Sequence, residues 1–459
     1  MYKIITEIID KNRKGNGSGI YSICSANRFV LRASMMQAKK DDSFLLIEAT
    51  SNQVDQFGGY TGMTPQQFKS YVDVVADETG FNSQKIILGG DHLGPNVWQN
   101  EPINTAMQKA KNQIKAYVKA GFKKIHLDTS MPLEGDASPL SVELSAERAA
   151  DLCSVAEKSA DGILPVYVIG TEVPIPGGAT EELGDISPTK VEDVRQTLEV
   201  TKTAFEKKGL AEVWERVIAV VVQPAVDFSD DSVIDYSREK ARELSAFVTS
   251  VPDMVYEAHS TDYQTPAALK EMVEDHFAIL KVGPWLTYAL REAVFALAKM
   301  EQEWLGYRKD IDLSEIVKVI DDEMVKKPDY WMKHYHGSNP QLAFARRYSY
   351  SDRIRYYWNN KHVYMSLDLL LRNLRKYPLP ISLISQYMPE QYEMIRNGII
   401  SCKPEQLIYH KILQVLQIYS DAVKDNSVNL KELQLKQKVS VSSSVFADSA
   451  KFKFTYDEI

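Results

Sequence analysis

Polar residues of catalytic type stand at the ends of several short apolar runs in this sequence. One run ends in the adjacent pair Asp91-His92, a later run ends in Asp128, and another ends in His259. Imidazoles combined with carboxylates bind divalent metals and carry out acid–base catalysis. Because neighbouring side chains of a strand point to opposite faces, one member of the Asp91-His92 pair could bind a metal while the other transfers a proton.

Comparable residues accompany the remaining runs, and together they define one predicted site. The predicted metal ligands are His92, Glu172, Gln223 and His259. The predicted acid–base and charge-stabilising residues are Asp91, Asp128 and Lys281, while Glu48 and Asp262 are assigned to substrate binding. Two imidazoles with oxygen donors favour Zn²⁺, with Mn²⁺ or a similar divalent ion as the alternative.

Each of these residues also has a purely structural interpretation. Asp128 could cap the next helix, a single histidine at a strand end is more often hydrogen-bonded structure than a ligand, and Lys281 could simply pair with a carboxylate. His126 shares the side of the strand that Asp128 occupies, and we expect it to support the site from behind. The convergence of so many polar strand ends favours the functional interpretation.

Arginines and aromatic residues are concentrated in a second segment, Arg346–Trp358. One interpretation is a solvated or inter-subunit face. The other is a site for a sugar phosphate or a partner subunit, because arginine binds phosphate through paired hydrogen bonds and tyrosine is common in interfaces. Arg353 and Arg355 of this segment are assigned to substrate binding.

The elements that must position these residues follow from an alternation of apolar runs and amphipathic stretches. Stretches such as Ala106–Ala120 and Val191–Lys207 have apolar residues at helical spacing. Eight runs alternating with such helices predict a closed parallel (β/α)8 barrel over residues 1–300, with catalytic groups at the carboxyl ends of its strands. The predicted strands are Ile20–Ser25, Phe44–Ser51, Lys85–His92, Lys123–Ser130, Leu164–Glu172, Arg216–Pro224, Met254–Asp262 and Ala278–Gly283.

The pattern changes after the barrel. Residues 301–435 contain further amphipathic stretches and are predicted to form an α-helical C-terminal extension. Residues 436–459 are rich in Ser and Lys, and we expect a mobile tail there.

Composition excludes several classes of function. The 459 residues carry a net charge of -8 and no basic stripe, which argues against a nucleic-acid partner. No apolar run is long enough to span a membrane, and no signal peptide is evident at the N-terminus. The three cysteines, Cys24, Cys153 and Cys402, lie far apart, so we expect reduced thiols in a cytoplasmic protein.

Several motifs closely resemble the tagatose-bisphosphate aldolase Z-subunit family. They are GGDHLGPNVW, HLDTSMPLEGD, VIGTEVPIPGG, QPAVDF, YEAHSTDYQT, LKVGPWLT and YSYSDRIRYYW, and they extend over nearly the whole chain. The resemblance implies a class II aldolase-like barrel and a role in tagatose, galactitol or N-acetylgalactosamine catabolism. It also implies a non-catalytic subunit that supports the activity and stability of a separate catalytic Y subunit.

Class II aldolases pair an acid–base Asp with a zinc-binding His at a strand end, and Asp91-His92 is similar to that pair. His259 is similar to a second zinc ligand. A further zinc histidine expected near strand six is not evident, and Gln223 stands in that region. The glycine-rich phosphate loop is also missing, since Ser-Thr-Asp-Tyr follows His259.

Two functions therefore remain open at this point. The favoured one is a supporting subunit of D-tagatose-1,6-bisphosphate aldolase. The alternative is a metal-dependent 4-epimerase that acts on a ketohexose or its 6-phosphate by retro-aldol cleavage and re-addition. In both cases we expect a homo-oligomer with a ketohexose or ketohexose phosphate as ligand.

Overall fold

The computed structural model of the protein describes residues 2–170 and 186–425. Eight parallel strands close into a barrel in the order β1-β10-β9-β6-β5-β4-β3-β2. The closure is direct, because Ser22 of the first strand pairs with Leu46 on one side and with Lys281 on the other. The barrel strands are β1 (Ile20–Ile23), β2 (Leu45–Thr50), β3 (Ile86–Leu93), β4 (Lys124–Leu127), β5 (Val166–Ile169), β6 (Val217–Val221), β9 (Val255–Ala258) and β10 (Ile279–Val282).

The eight-stranded barrel confirms the fold predicted from sequence. Seven strands lie inside their predicted runs, and β3 extends one residue beyond its run, to Leu93. A small antiparallel hairpin, β7 (Asp227–Phe228) with β8 (Val233–Ile234), follows the sixth barrel strand and was not predicted.

The lower part of the barrel interior is apolar. Side chains from every barrel strand except β4 join one buried cluster, which contains Leu46 and Ile279. Helix α1 (Tyr2–Lys11) adds Ile5 and Ile9 to the same cluster, so that it seals the amino-terminal end of the barrel. Such a filled interior is a packed core and leaves the carboxyl end as the open mouth.

Charged residues replace apolar ones at the next inward positions. Two residues after Leu46 comes Glu48, and two residues after Ile279 comes Lys281, both buried. Because alternate residues of a strand share a face, these side chains point into the same interior one layer higher. Residues of four strands thus build a polar layer above the apolar floor.

Eight helices surround the barrel, one after each strand. Four of them have a side-chain N-cap: the Thr64 side chain, for example, accepts from the backbone amide of Gln67. The ring consists of α2 (Arg28–Lys40), α3 (Pro65–Thr79), α4 (Ile103–Lys119), α5 (Val142–Ser159), α6 (Val191–Lys207), α7 (Arg238–Thr249), α8 (Pro266–Glu274) and α9 (Pro284–Leu305).

The C-terminal extension is helical, as predicted, and packs on the barrel. Its last helix lies against α2, α8 and α9, and extension residues such as Leu416 share one hydrophobic cluster with barrel residues such as Leu290. The extension contains α10 (Ile316–Lys326), α11 (Asn339–Tyr348), α12 (Lys361–Lys376), α13 (Ile381–Tyr387), α14 (Pro389–Arg396) and α15 (Pro404–Val423). The predicted tail, residues 436–459, lies outside the described residues. Within the described residues, no helix combines the length and apolar character needed to cross a membrane.

Candidate metal and substrate site at the barrel mouth

The end of β3 is folded tightly against β4, and this contact shapes the site. His92 has a positive φ of 50°, an uncommon conformation for a residue other than glycine. The next turn needs Gly94, because a Cβ there would lie 1.7 Å from the backbone oxygen of Asp128. The backbone therefore brings the side chains of Asp91 and His92 close to those at the end of β4.

Four buried residues offer metal-ligand atoms within 4.8 Å of one another: Asp91, His126, Glu257 and His259. Asp91 Oδ1 lies 3.0 Å from His126 Nδ1, and Glu257 Oε1 lies 3.1 Å from His259 Nε2. Nitrogen and oxygen ligands about 2 Å from a central ion would be separated by similar distances. The four residues thus fit a divalent cation.

The second ring nitrogen of His126 supports this fit. His126 Nε2 is buried and has no hydrogen-bond partner among the described residues. An imidazole nitrogen hidden from water normally has a partner, and an unpaired one needs a physical reason. A bound metal ion would supply the partner that this nitrogen lacks.

His92 lies beside these four residues and is oriented by Asp128. Its Nδ1 is 2.8 Å from Asp128 Oδ2, and its ring centroid is 4.8 Å from that of His259. Burial disfavours the charged imidazole, but Asp91 and Asp128 outweigh that effect and raise the pKa of His92 to about 9. Asp128 in turn accepts from the backbone amide and hydroxyl of Ser130, so its carboxylate is held in place.

Carboxylates beneath the mouth are neutralised by two buried lysines. Lys124 Nζ lies 2.5 Å from both Glu48 Oε1 and Glu257 Oε2, and all three side chains are fully buried. Lys281 Nζ contacts Glu48 and lies 3.0 Å from Asp91 Oδ1. Burial would raise the pKa of Glu257, but Lys124 and His259 hold it at about 2. We call Glu48, Lys124, Glu257 and Lys281 the buried charge layer.

An open cleft lies above the layer. Barrel residues and extension residues line it together, since Asp91 and Lys281 share the cleft with Arg355 and Tyr356. Other residues lining the cleft are Cys24, Thr50, Asn52, Gln53, Tyr60, His92, Phe228, His259, Ser260, Asp262, Val282, Gly283 and Pro284.

The structure brings together most residues predicted from sequence. Asp91, His92, His259, Asp262, Lys281 and Arg355 all line the cleft, Asp128 contacts His92, and Glu48 lies in the layer below. Arg353 is buried beside Arg355 and shares Tyr356 with it. Their assigned roles as ligands, bases or substrate contacts remain predictions.

Of the predicted metal ligands, His259 belongs to the cluster of four residues, and His92 lies beside that cluster. Glu172 lies outside the described residues. The cluster also contains Glu257, which had no predicted role, and His126, which was predicted to support the site from behind.

A (β/α)8 barrel with imidazoles and carboxylates gathered at the carboxyl ends of its strands defines a class of barrel proteins with a candidate metal site. Within that class, the family of D-tagatose-1,6-bisphosphate aldolase subunits of the GatZ/KbaZ-like type matches residues 5–424. The chain belongs to this family.

Solved structures agree with the fold. A protein described as a probable tagatose 6 phosphate kinase from Sinorhizobium meliloti 1021 is 44% identical, covering 88% of this chain and 100% of its own, with a TM-score of 0.81. A fructose-bisphosphate aldolase from Campylobacter jejuni is 14% identical over 82% of this chain and 92% of its own, with a TM-score of 0.43. The second likeness is too remote to bear on function.

Metal content is directly measurable. We expect purified protein to bind one divalent ion per chain, and His259→Ala to lower the affinity for that ion by at least about 10-fold, since even residues that only orient ligands contribute that much. Titration of metal-free protein followed by elemental analysis measures both. His362→Ala, a change of an exposed histidine in α12, is the matched control. Protein that binds no divalent ion on titration would contradict the site.

Proposed function

We propose that this chain itself performs metal-dependent aldol chemistry at C3–C4 of a ketohexose or ketohexose 6-phosphate. The observation that carries the proposal is the unpaired, buried His126 Nε2 inside the group formed with Asp91, Glu257 and His259. A chain that only supported a partner would not need a cation-sized ring of ligands below an open cleft. Burying several charges costs free energy, and these charges are paired around one point.

A divalent ion held by His126, Glu257 and His259 would act as a Lewis acid toward the C2 carbonyl oxygen of the sugar and would leave Asp91 for proton transfer. The protein's own part is proton transfer and charge stabilisation. Asp91 lines the cleft, and its carboxylate is suited to accept the proton of the C4 hydroxyl. The C3–C4 electron pair then passes to the three-carbon enolate, whose negative charge the nearby Lys281 ammonium would stabilise.

The fate of the other fragment decides the reaction type. Release of the three-carbon aldehyde, with transfer of the proton from Asp91 to C3 of the enolate, completes an aldol cleavage. Rotation of the retained aldehyde, followed by re-addition and return of the proton from Asp91, inverts C4 and gives the epimer. Retention of the aldehyde in the cleft would give the second outcome, and we therefore include 4-epimerisation in the proposal.

The test uses the full chain alone. Metal-loaded protein is incubated separately with D-tagatose, D-fructose, their 6-phosphates and D-tagatose 1,6-bisphosphate, and products are separated by chromatography and assigned by NMR. We expect interconversion of C4 epimers or formation of three-carbon products from at least one of them. No product from any of the five, with metal bound at full occupancy, would contradict the proposal.

A second candidate function is support of a separate catalytic aldolase subunit. The description of the family as aldolase subunits favours it. If this role is the main one, adding the chain to a catalytic subunit should raise the activity and thermal midpoint of that subunit. Absence of any association on size-exclusion chromatography, combined with turnover by the lone chain, would reject it.

A further inference from the structure

Arg355 lines the cleft and Arg353 is buried beside it, and among the described residues neither forms an ion pair with a carboxylate. Neither Arg353 nor Arg355 has a carboxylate oxygen within 4.0 Å among the described residues. Both donate to the same phenol oxygen: Arg355 Nη2 lies 3.0 Å and Arg353 Nη1 lies 3.3 Å from Tyr356 Oη. Two cations sharing one neutral acceptor repel each other, so this arrangement is suited to receive an anion.

The arginine pair is held rigidly. Arg355 Nη1 donates to the backbone oxygens of Ser351 and Asp352, and its guanidinium lies 4.5 Å from the Tyr356 ring centroid. Arg353 is only 4% exposed, yet its Nε has no hydrogen-bond partner among the described residues. A buried guanidinium nitrogen without an acceptor is costly, which is a second indication that a ligand completes this part of the site.

The usual anion position of a barrel is closed here. In many (β/α)8 barrels a phosphate binds at the loops after the last two strands and a nearby helix N-terminus. In this chain Asp262 Oδ1 accepts from the backbone amides of Gly283 and Trp285, at the N-terminus of α9. Burial raises the pKa of Asp262 to about 6, so at neutral pH a carboxylate already occupies the place of an anionic ligand.

Among the described residues that line the cleft, the other cationic side chains, His92 and Lys281, are already paired with carboxylates. Among the described residues that line it, the only lysine and arginine are Lys281 and Arg355. Lys281 is paired with Glu48 and Asp91 of the layer below. Residues 171–185, outside the described part, contain no Lys, Arg or His in the sequence.

We infer that the cleft binds a sugar with an anionic group at one end and a neutral group at the other. Arg355, linked to Arg353 through Tyr356, would hold the anionic end, and the neutral end would lie at the metal-site residues. This inference rests on the proposed function for the choice of sugar. It excludes a bisphosphate as the preferred ligand of this chain. The shared chemistry is a terminal oxyanion, which a 6-phosphate or a C6 carboxylate could supply.

Calorimetric titration of metal-loaded full-length protein tests the inference with four probes. They are D-tagatose, D-tagatose 6-phosphate, D-tagatose 1,6-bisphosphate and D-tagaturonate, the last of which carries a C6 carboxylate. We expect either the 6-phosphate or the C6 carboxylate, the two sugars with a single anionic group, to bind at least about 10-fold more tightly than D-tagatose. The bisphosphate should bind no more tightly than the 6-phosphate. The tighter-binding of the two singly substituted sugars identifies the oxyanion.

Arg355→Gln should remove that advantage and leave D-tagatose affinity unchanged. Arg347→Gln, in the same segment but outside the cleft, is the matched control and should behave as wild type. If Arg355→Gln unfolds, Tyr356→Phe keeps the ring and removes only the shared oxygen. It should weaken binding of the anionic sugar several-fold.

Three outcomes would overturn the inference. The wild-type protein could bind neither singly anionic sugar more tightly than D-tagatose, or it could bind the bisphosphate 10-fold more tightly than the 6-phosphate. The variants could also lose equal affinity for charged and neutral sugars. Binding is measured without turnover, so a chain that binds the anionic sugar through Arg355 but makes no product contradicts only the proposed function.

Discussion

Replacing Asp91 with Asn should lower ketohexose turnover by the lone chain about 10²-fold or more, the usual contribution of an acid–base group. Asn has nearly the same shape but cannot accept the hydroxyl proton. The folded structure should survive, because the change removes one buried negative charge from a region with several carboxylates. Initial rates at saturating sugar, with metal content measured on the same sample, give the result.

Metal content separates two explanations of a dead variant. If Asp91 is the base, as proposed, Asp91→Asn should retain its metal while losing activity. If Asp91 is instead one of the ligands, metal and activity should fall together, and Asp128 becomes the candidate base. Asp77→Asn, an exposed aspartate in α3, is the matched control and should change neither.

The same variant bears on the supporting-subunit role. A subunit that acts only by association should still stabilise and activate its partner when Asp91 is Asn, since Asp91 is buried in the barrel mouth. Intact partner activation with a lost intrinsic rate would show that the two roles are separate properties of this chain. Loss of both would indicate that the partner depends on the intact site.

Much of the barrel was predictable because its signals are local. A parallel strand covered on both faces is a continuous apolar run, and runs such as the one that became β6 stand out against the amphipathic helices. The β7–β8 hairpin gave no such signal, since each strand has only two residues. Its pairing depends on a contact between Asp227 and Ile234 that composition alone does not indicate.

The candidate site was predictable in outline and less so in detail. Polar strand ends such as Asp91 and His259 are conspicuous in sequence because water-excluded strands seldom contain them. His126 was judged to support the site from behind, because its inward direction depends on the register of β4. Lys124 was not predicted to belong to the site, since lysine is almost always exposed. Only the tertiary structure reveals that its side chain is fully buried.

Lys124 is nevertheless the residue whose loss should destabilise the protein most. Lys124→Met keeps the length of the side chain but leaves Glu48 and Glu257 without the ammonium that lies 2.5 Å from each. Removing one partner of a buried ion pair strands the other charge, at a cost of about 3–5 kcal/mol in the free energy of unfolding. Chemical denaturation monitored by circular dichroism measures the difference.

Its neighbour provides the matched control. Lys123 is partly exposed and donates to the backbone oxygen of Ile163, so Lys123→Met should cost no more than about 1 kcal/mol. The double variant Glu48→Gln/Lys124→Met removes a carboxylate together with the lysine and should recover part of the lost stability, since the two positions are coupled. Equal losses in Lys124→Met and Lys123→Met would contradict a charge layer that depends on Lys124. Recovery in the double variant would instead show that pairing of charge, more than side-chain volume, stabilises the interior on which the metal residues rest.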